Sequence, residues 1–85
     1  MAVQIESTPN PNALKFTVGV DVGGPKTFVA GGEEDDPLAV ALLSIPGITS
    51  IFMTADFVTL TKTPDADWAE IAGQAQEILQ SHFDV

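Results

Sequence analysis

Cysteine, arginine and tyrosine are all absent from this 85-residue chain, and histidine occurs once, as His82. Without cysteine there is no disulfide, no thiolate metal site, no cysteine nucleophile and no sulfur ligand for a metal cluster. A single imidazole near the end of a helical segment reads as a surface residue favoured by the helix dipole rather than as a metal ligand. Positive charge is also scarce. Three lysines face twelve carboxylates for a formal charge of −9, so long-range fields repel nucleic acid and anionic lipid. No window approaches the roughly 18 uninterrupted apolar residues of a membrane span. Met1 leads almost directly into Val3-Gln4-Ile5 with no basic or Arg-rich leader, which makes a cytoplasmic location the expectation.

What remains is a hydrophobic fraction of 45% in a chain with room for one small core, so residues 1–85 are expected to be a single domain. Apolar residues alternate with polar ones on both sides of Ser7-Thr8-Pro9-Asn10-Pro11-Asn12, predicting antiparallel strands over residues 2–6 and 13–18. The segment between them is heavily specified. Each proline fixes its own φ and biases its predecessor away from helix, while Asn10 and Asn12 can close Asx turns, so a rigid reversal is predicted. A short strand near Lys26–Ala30 precedes the acidic run Glu33-Glu34-Asp35-Asp36, in which Asp36 stands as N-cap before Pro37 at the first helical position. Leu38, Ala41, Leu42 and Ile45 form one stripe of that helix, and Pro46-Gly47 ends it.

Strands at 48–53 and 57–62 flank a predicted three-residue turn, Thr54-Ala55-Asp56. In the first of them Ile51 and Met53 are expected on one face with Ile48 and Phe52 on the other. Trp68, Ile71, Ala72, Ala75, Ile78, Leu79 and Phe83 then keep helical spacing behind an Asp67 cap. The expected fold class is α+β: a two-layer sandwich with a mixed, mostly antiparallel sheet, order β-β-β-α-β-β-α, and both helices on one face. The first helix is expected to cross between parallel strands. The glycine-rich stretch 19–32 is expected to be the most mobile.

Catalytic chemistry has little to build on. Ser7, Ser44, Ser50 and Ser81 lack a nucleophile setting, and no pair of carboxylates has a spacing that compels acid–base work. Gly23-Gly24-Pro25-Lys26-Thr27 ends like a phosphate loop, but the first glycine is missing and a strand follows. The acidic run lacks the glycine-spaced alternation of a calcium loop. The expectation is no enzyme, no resident cofactor and no metal site.

Thr8-Pro9-Asn10-Pro11-Asn12-Ala13-Leu14-Lys15-Phe16 resembles the opening signature of the N-terminal domain of Nfu/NifU-like iron–sulfur cluster proteins. Pro46-Gly47-Ile48, then Ile51 through Lys62 as a second hairpin, then Asp67-Trp68 continue that resemblance over nearly the whole chain. In longer members a separate C-terminal domain carries the Cys-x-x-Cys pair that holds a bridging cluster, and no such pair lies within these residues. The resemblance therefore implies a non-catalytic interaction module associated with cluster assembly or delivery, without direct ligation, whose partner is a Cys-x-x-Cys cluster carrier or a recipient apoprotein.

Asn10, Asn12, Lys15, Phe57 and Lys62 are the candidate partner-binding residues. Each also has a structural reading: the asparagines as turn formers, the lysines as solvated strand residues and Phe57 as core. Trp68 and Phe16 are expected in the core. A different class of function, recognition of an anionic group on a small ligand or peptide through Lys15 and Lys62, stays open at this level.

Overall fold

A computed structural model of the protein describes residues 3–22, 24–31 and 36–83. The two alternating segments around the Asn/Pro loop become β1 (Gln4–Ser7) and β2 (Ala13–Thr17). β3 (Lys26–Val29), α1 (Pro37–Leu43), β4 (Ile48–Thr54), β5 (Phe57–Lys62) and α2 (Trp68–Phe83) follow. The strands form one sheet in the order β1-β2-β5-β4-β3, and every pairing is antiparallel.

The expected parallel crossover is therefore absent, and the chain path shows why. Val29 pairs with Ser50, and the Ala30 amide donates to the Thr49 carbonyl at 2.7 Å. The excursion through α1 leaves and re-enters the sheet at the same end. It is an elaborated hairpin connection, and its seven-residue helix spans only about 10 Å. Asp36 caps α1 as its position implies, its carboxylate accepting from the Leu38 amide at 2.9 Å and the Ala39 amide at 3.3 Å. Glu33, Glu34, Asp35, Gly23 and Gly32 lie outside the described residues.

Register divides the sheet into two faces. Phe16 stands opposite Val58, and Leu14 opposite Leu60, which faces Ile51, which faces Phe28. These side chains meet Leu38, Ala39 and Leu42 of α1, Ile45 beyond it, and Ile71, Ala75 and Leu79 of α2 in one core. At roughly 1.5 to 3 kcal/mol per large buried side chain, that shared layer is the main favourable contribution to folding. Ile48 joins it, against the simple alternation that sends Ile48 outward with Phe52. A register shift between Ile48 and Ser50 places two β4 steps against the single β5 step from Lys62 to Thr61, and it returns Ile48 to the buried side.

The second hairpin closes more tightly than predicted. Thr54 pairs with Phe57, leaving a two-residue connection in which Ala55 has φ +51°. Its carbonyls dock the glycine-rich segment. Asp56 O accepts from the Val18 amide at 2.8 Å, and Ala55 O from the Val22 amide at 2.8 Å. Gly47 breaks the chain after α1 with φ +99°, and its carbonyl accepts from the Thr63 amide at 2.8 Å.

Candidate partner surface

The strand face turned away from both helices carries a cross-strand row of Glu6, Lys15, Thr59, Phe52 and Thr27, and beside it Gln4, Thr17, Phe57 and Thr54. Strand parity predicts Gln4, Glu6, Lys15 and Thr17 here, and here they are. Phe57 shares this face. It is half-buried beneath Lys15, whose Nζ sits 4.5 Å from the ring centroid in a cation–π contact. Phe52 and Val29 stand open to solvent, at 41% and 53% exposure. Threonine supplies Thr17, Thr27, Thr54, Thr59 and Thr61, so small polar side chains surround the three large apolar ones, with Glu6 and Lys15 as charges within the pairing rows.

The Asn/Pro loop sits at one end of the sheet and is bonded throughout. The Thr8 hydroxyl has the carbonyls of Asn10 (2.9 Å) and Ala13 (3.0 Å) within reach of its single proton and accepts from the Asn10 amide (3.2 Å). Asn10 Oδ1 accepts from the Asn12 amide at 2.9 Å, the predicted Asx turn. Three further bonds tie the loop to distant chain. The Lys62 amide donates to Asn12 O (2.8 Å), Lys62 Nζ donates to Asn12 Oδ1 (3.2 Å), and Trp68 Nε1 donates to Pro11 O (3.1 Å). The Trp68 ring also lies 6.5 Å from Phe16, centroid to centroid, and 5.9 Å from Lys62 Nζ.

Lys15 and Lys62 consequently do not converge. Lys15 opposes Thr59 on the open face, whereas Lys62 opposes Ile48 on the helix side and is only 8% exposed. An anion gripped by both lysines is incompatible with that parity. Of the five candidates, Lys15 and Phe57 are brought together, and Asn10 is exposed on the loop. Asn12 and Lys62 form an internal brace behind it. Sequence reasoning singled out neither Phe52 nor Val29. The alternation of Thr27, Val29 and of Ser50, Phe52, Thr54 around them is the signal that identifies this side as the open one.

Near the brace, a hydrogen bond from the Thr63 hydroxyl and then one from its own backbone amide hold the Asp65 carboxyl below the usual 3.8, with the Lys62 charge adding to both. A depressed folded value means that the contribution to stability is present above pH 3.8 and is lost as pH falls through the lower folded value. We expect carboxyl-detected NMR titration to give Asp65 a midpoint below 3.8, and Thr63→Val to move it upward.

No group of three or more His, Cys, Asp or Glu among the described residues is arranged to hold a metal ion. No helix among them is long and apolar enough to cross a membrane.

A family model described as the scaffold protein Nfu/NifU N terminal matches residues 3–85. The chain belongs to the Nfu/NifU N-terminal family. It is 36% identical over 86 residues to the NifU-like protein C1709.19c of Schizosaccharomyces pombe, covering 95% of this chain and 33% of that protein. To the mitochondrial NFU1 iron–sulfur cluster scaffold homolog of Drosophila erecta it is 37% identical over 87 residues, covering 98% of this chain and 31% of the relative. This Nfu/NifU N-terminal chain thus spans about a third of the length of the curated relatives it matches. Its fold superposes on the crystal structure of Staphylococcus aureus protein SAV1430 with TM-score 0.80 at 26% identity, covering 92% of this chain and 98% of the other. The solution structure of a NifU-like protein from Saccharomyces cerevisiae gives TM-score 0.81 at 24% identity, covering 96% and 77%, and shares the fold.

Proposed function

We propose that this Nfu/NifU N-terminal domain is a non-catalytic recognition module in iron–sulfur cluster assembly or delivery, and that it leaves cluster ligation to a Cys-x-x-Cys carrier or a recipient apoprotein. The observation that carries the reading is the open sheet face, where Lys15 over Phe57 lies among Phe52, Val29 and a field of threonines. A threonine-rich face with an aromatic anchor, two exposed apolar side chains and few charges is suited to a protein partner. In this reading Lys15 and Phe57 touch the partner and Asn10 contributes from the loop, while Asn12 and Lys62 hold the loop in place. The cysteine-free composition supports the second half, since thiolates are the usual cluster ligands.

Chemical-shift mapping against a separate Cys-x-x-Cys cluster carrier tests recognition. Perturbations are expected at Lys15, Phe52 and Phe57, and Phe57→Ala should weaken binding by about tenfold or more, as loss of an aromatic anchor does. No perturbation with carrier or recipient sinks the proposal. Anaerobic incubation with iron and sulfide should leave this chain without a cluster absorption spectrum, and a stable spectrum would overturn the denial of ligation.

A further inference from the structure

The two edges of the sheet are protected unequally. β3 begins with exposed Lys26 directly after Pro25, and lysine and proline are two of the usual devices that stop an edge from pairing further. β1, Gln-Ile-Glu-Ser, contains neither, is exposed along its whole length and meets β2 in unbroken register. The ladder fixes which of its backbone groups are left over. On β2 the Asn12 carbonyl accepts from Lys62 and the Val18 amide donates to Asp56, so even-numbered residues bond towards β5 and odd-numbered ones towards β1. Lys15 and Thr17 therefore exchange bonds with Glu6 and Gln4, and the amides and carbonyls of Ile5 and Ser7 point out of the sheet. The next outward carbonyl, that of Val3, is closed by Gln76 Nε2 of α2 at 3.3 Å. Among the described residues, no such bond reaches the outward groups of Ile5 or Ser7.

The side chains along this edge differ on its two sides. Ile5 lies on the helix side, opposite Phe16, yet is 40% exposed because no strand stands beyond it. On the open side the Glu6 carboxylate accepts one long bond, 3.4 Å from the Thr17 hydroxyl, while its cross-strand neighbour Lys15 is drawn over Phe57. A second copy fits poorly. Antiparallel self-pairing through all the outward groups sets Ile5 against Ser7 and brings the two Glu6 side chains directly opposite each other, like charge against like. Sliding the register to set Ile5 against Ile5 places Ser7 against Val3, whose carbonyl Gln76 already holds. We infer that β1 is an augmentation edge for an extended segment of another protein, which runs antiparallel and exchanges main-chain bonds with Ile5 and Ser7. That segment carries an apolar side chain beside Ile5 and a lysine or arginine opposite Glu6. Recognition here is by backbone groups at the rim, and so is separate from contact through Phe57 and Phe52 on the open face.

The test uses the whole chain and the synthetic peptide Val-Thr-Val-Lys-Val-Thr-Val in two forms. N-methylation of the threonines leaves the valine amides free for β1, and this form should shift residues 4–7 and slow hydrogen exchange at Ile5 and Ser7. N-methylation of the valines blocks that edge of the peptide, and binding should fall at least tenfold. This comparison needs no variant of the protein. Ser7→Pro removes one outward donor without touching the β1–β2 ladder and should weaken binding about fivefold. Glu6→Lys should reverse the preference for lysine over glutamate at the centre of the peptide. Three outcomes overturn the inference: no slowed exchange at Ile5 and Ser7 with millimolar peptide, equal binding of the two methylated forms, or a response confined to Lys26–Val29 or to Phe52 and Phe57. Concentration-dependent change at residues 4–7 without any peptide would assign the edge to a second copy and overturn it equally.

Discussion

Replacing Gly47 by alanine is expected to destabilise the domain by about 3 kcal/mol, a large share of the roughly 4 to 13 kcal/mol that a domain of this size commands. Two separate costs combine there. With φ at +99°, the backbone lies where an L side chain is strained, worth about 1 to 3 kcal/mol. An added Cβ also lands 2.6 Å from Cβ of Ala66 and 3.3 Å from Cδ1 of Ile71, and the first of these cannot rotate away. Gly47 therefore lies directly against Ala66 where the turn leaving α1 meets the turn entering α2. Chemical denaturation of Gly47→Ala with and without Ala66→Gly separates the two costs. The second change should recover about half of the loss, because it removes the clash and leaves the φ strain. Complete recovery would show that the backbone conformation costs nothing, and no recovery that the turn relaxes by another route.

Lys62→Ala should cost about 2 to 3 kcal/mol, an unusual penalty for a lysine, since exposed lysines are nearly neutral to truncation. This one has its stem packed on the helix side of β5 and its ammonium shared between Asn12 Oδ1 at 3.2 Å and the Thr63 carbonyl at 3.3 Å. Truncation removes the stem's packing and leaves two acceptors to find new donors. Lys62→Met retains the stem and should cost about 1 to 2 kcal/mol. The decisive readout is local. Both variants should shift the Trp68 indole N–H resonance and speed hydrogen exchange at Asn12 and Ala13, because the loop loses its brace. A surface cation serving only a partner would leave those signals and the stability unchanged.

Much of this was legible beforehand because it rests on short-range rules. Alternation around the Asn/Pro loop located β1 and β2 and assigned their faces, Asp36-Pro37 marked the start of α1, and the Trp68 to Phe83 stripe located α2. Three features depended on partners that periodicity does not see. The register shift at Thr49 returns Ile48 to the core, and it is defined only once β5 lies alongside. Antiparallel placement of β3 against β4 depends on where the chain re-enters the sheet, not on the helix between them. Lys62 reads as a strand-end cation, and only the loop brought to it from 50 residues away shows it to be internal. Phe57, a candidate partner residue whose alternative reading was core, lies under Lys15 on the open face because strand parity on β5 places Val58 and Leu60 inward.

The strand order has a consequence in time. β5 is the central strand, yet it is the last to be synthesised, and β2 finds its second neighbour only when residues 57–62 exist. The bonds that close the loop join residues 50 and 57 positions apart. On a ribosome, β1 and β2 therefore emerge with only each other to pair with and β3 with no partner, and cooperative folding waits for β4, β5 and α2. Refolding of the isolated domain should accordingly fall in the millisecond-to-second range typical of non-local topologies, slower than a helical bundle of equal length.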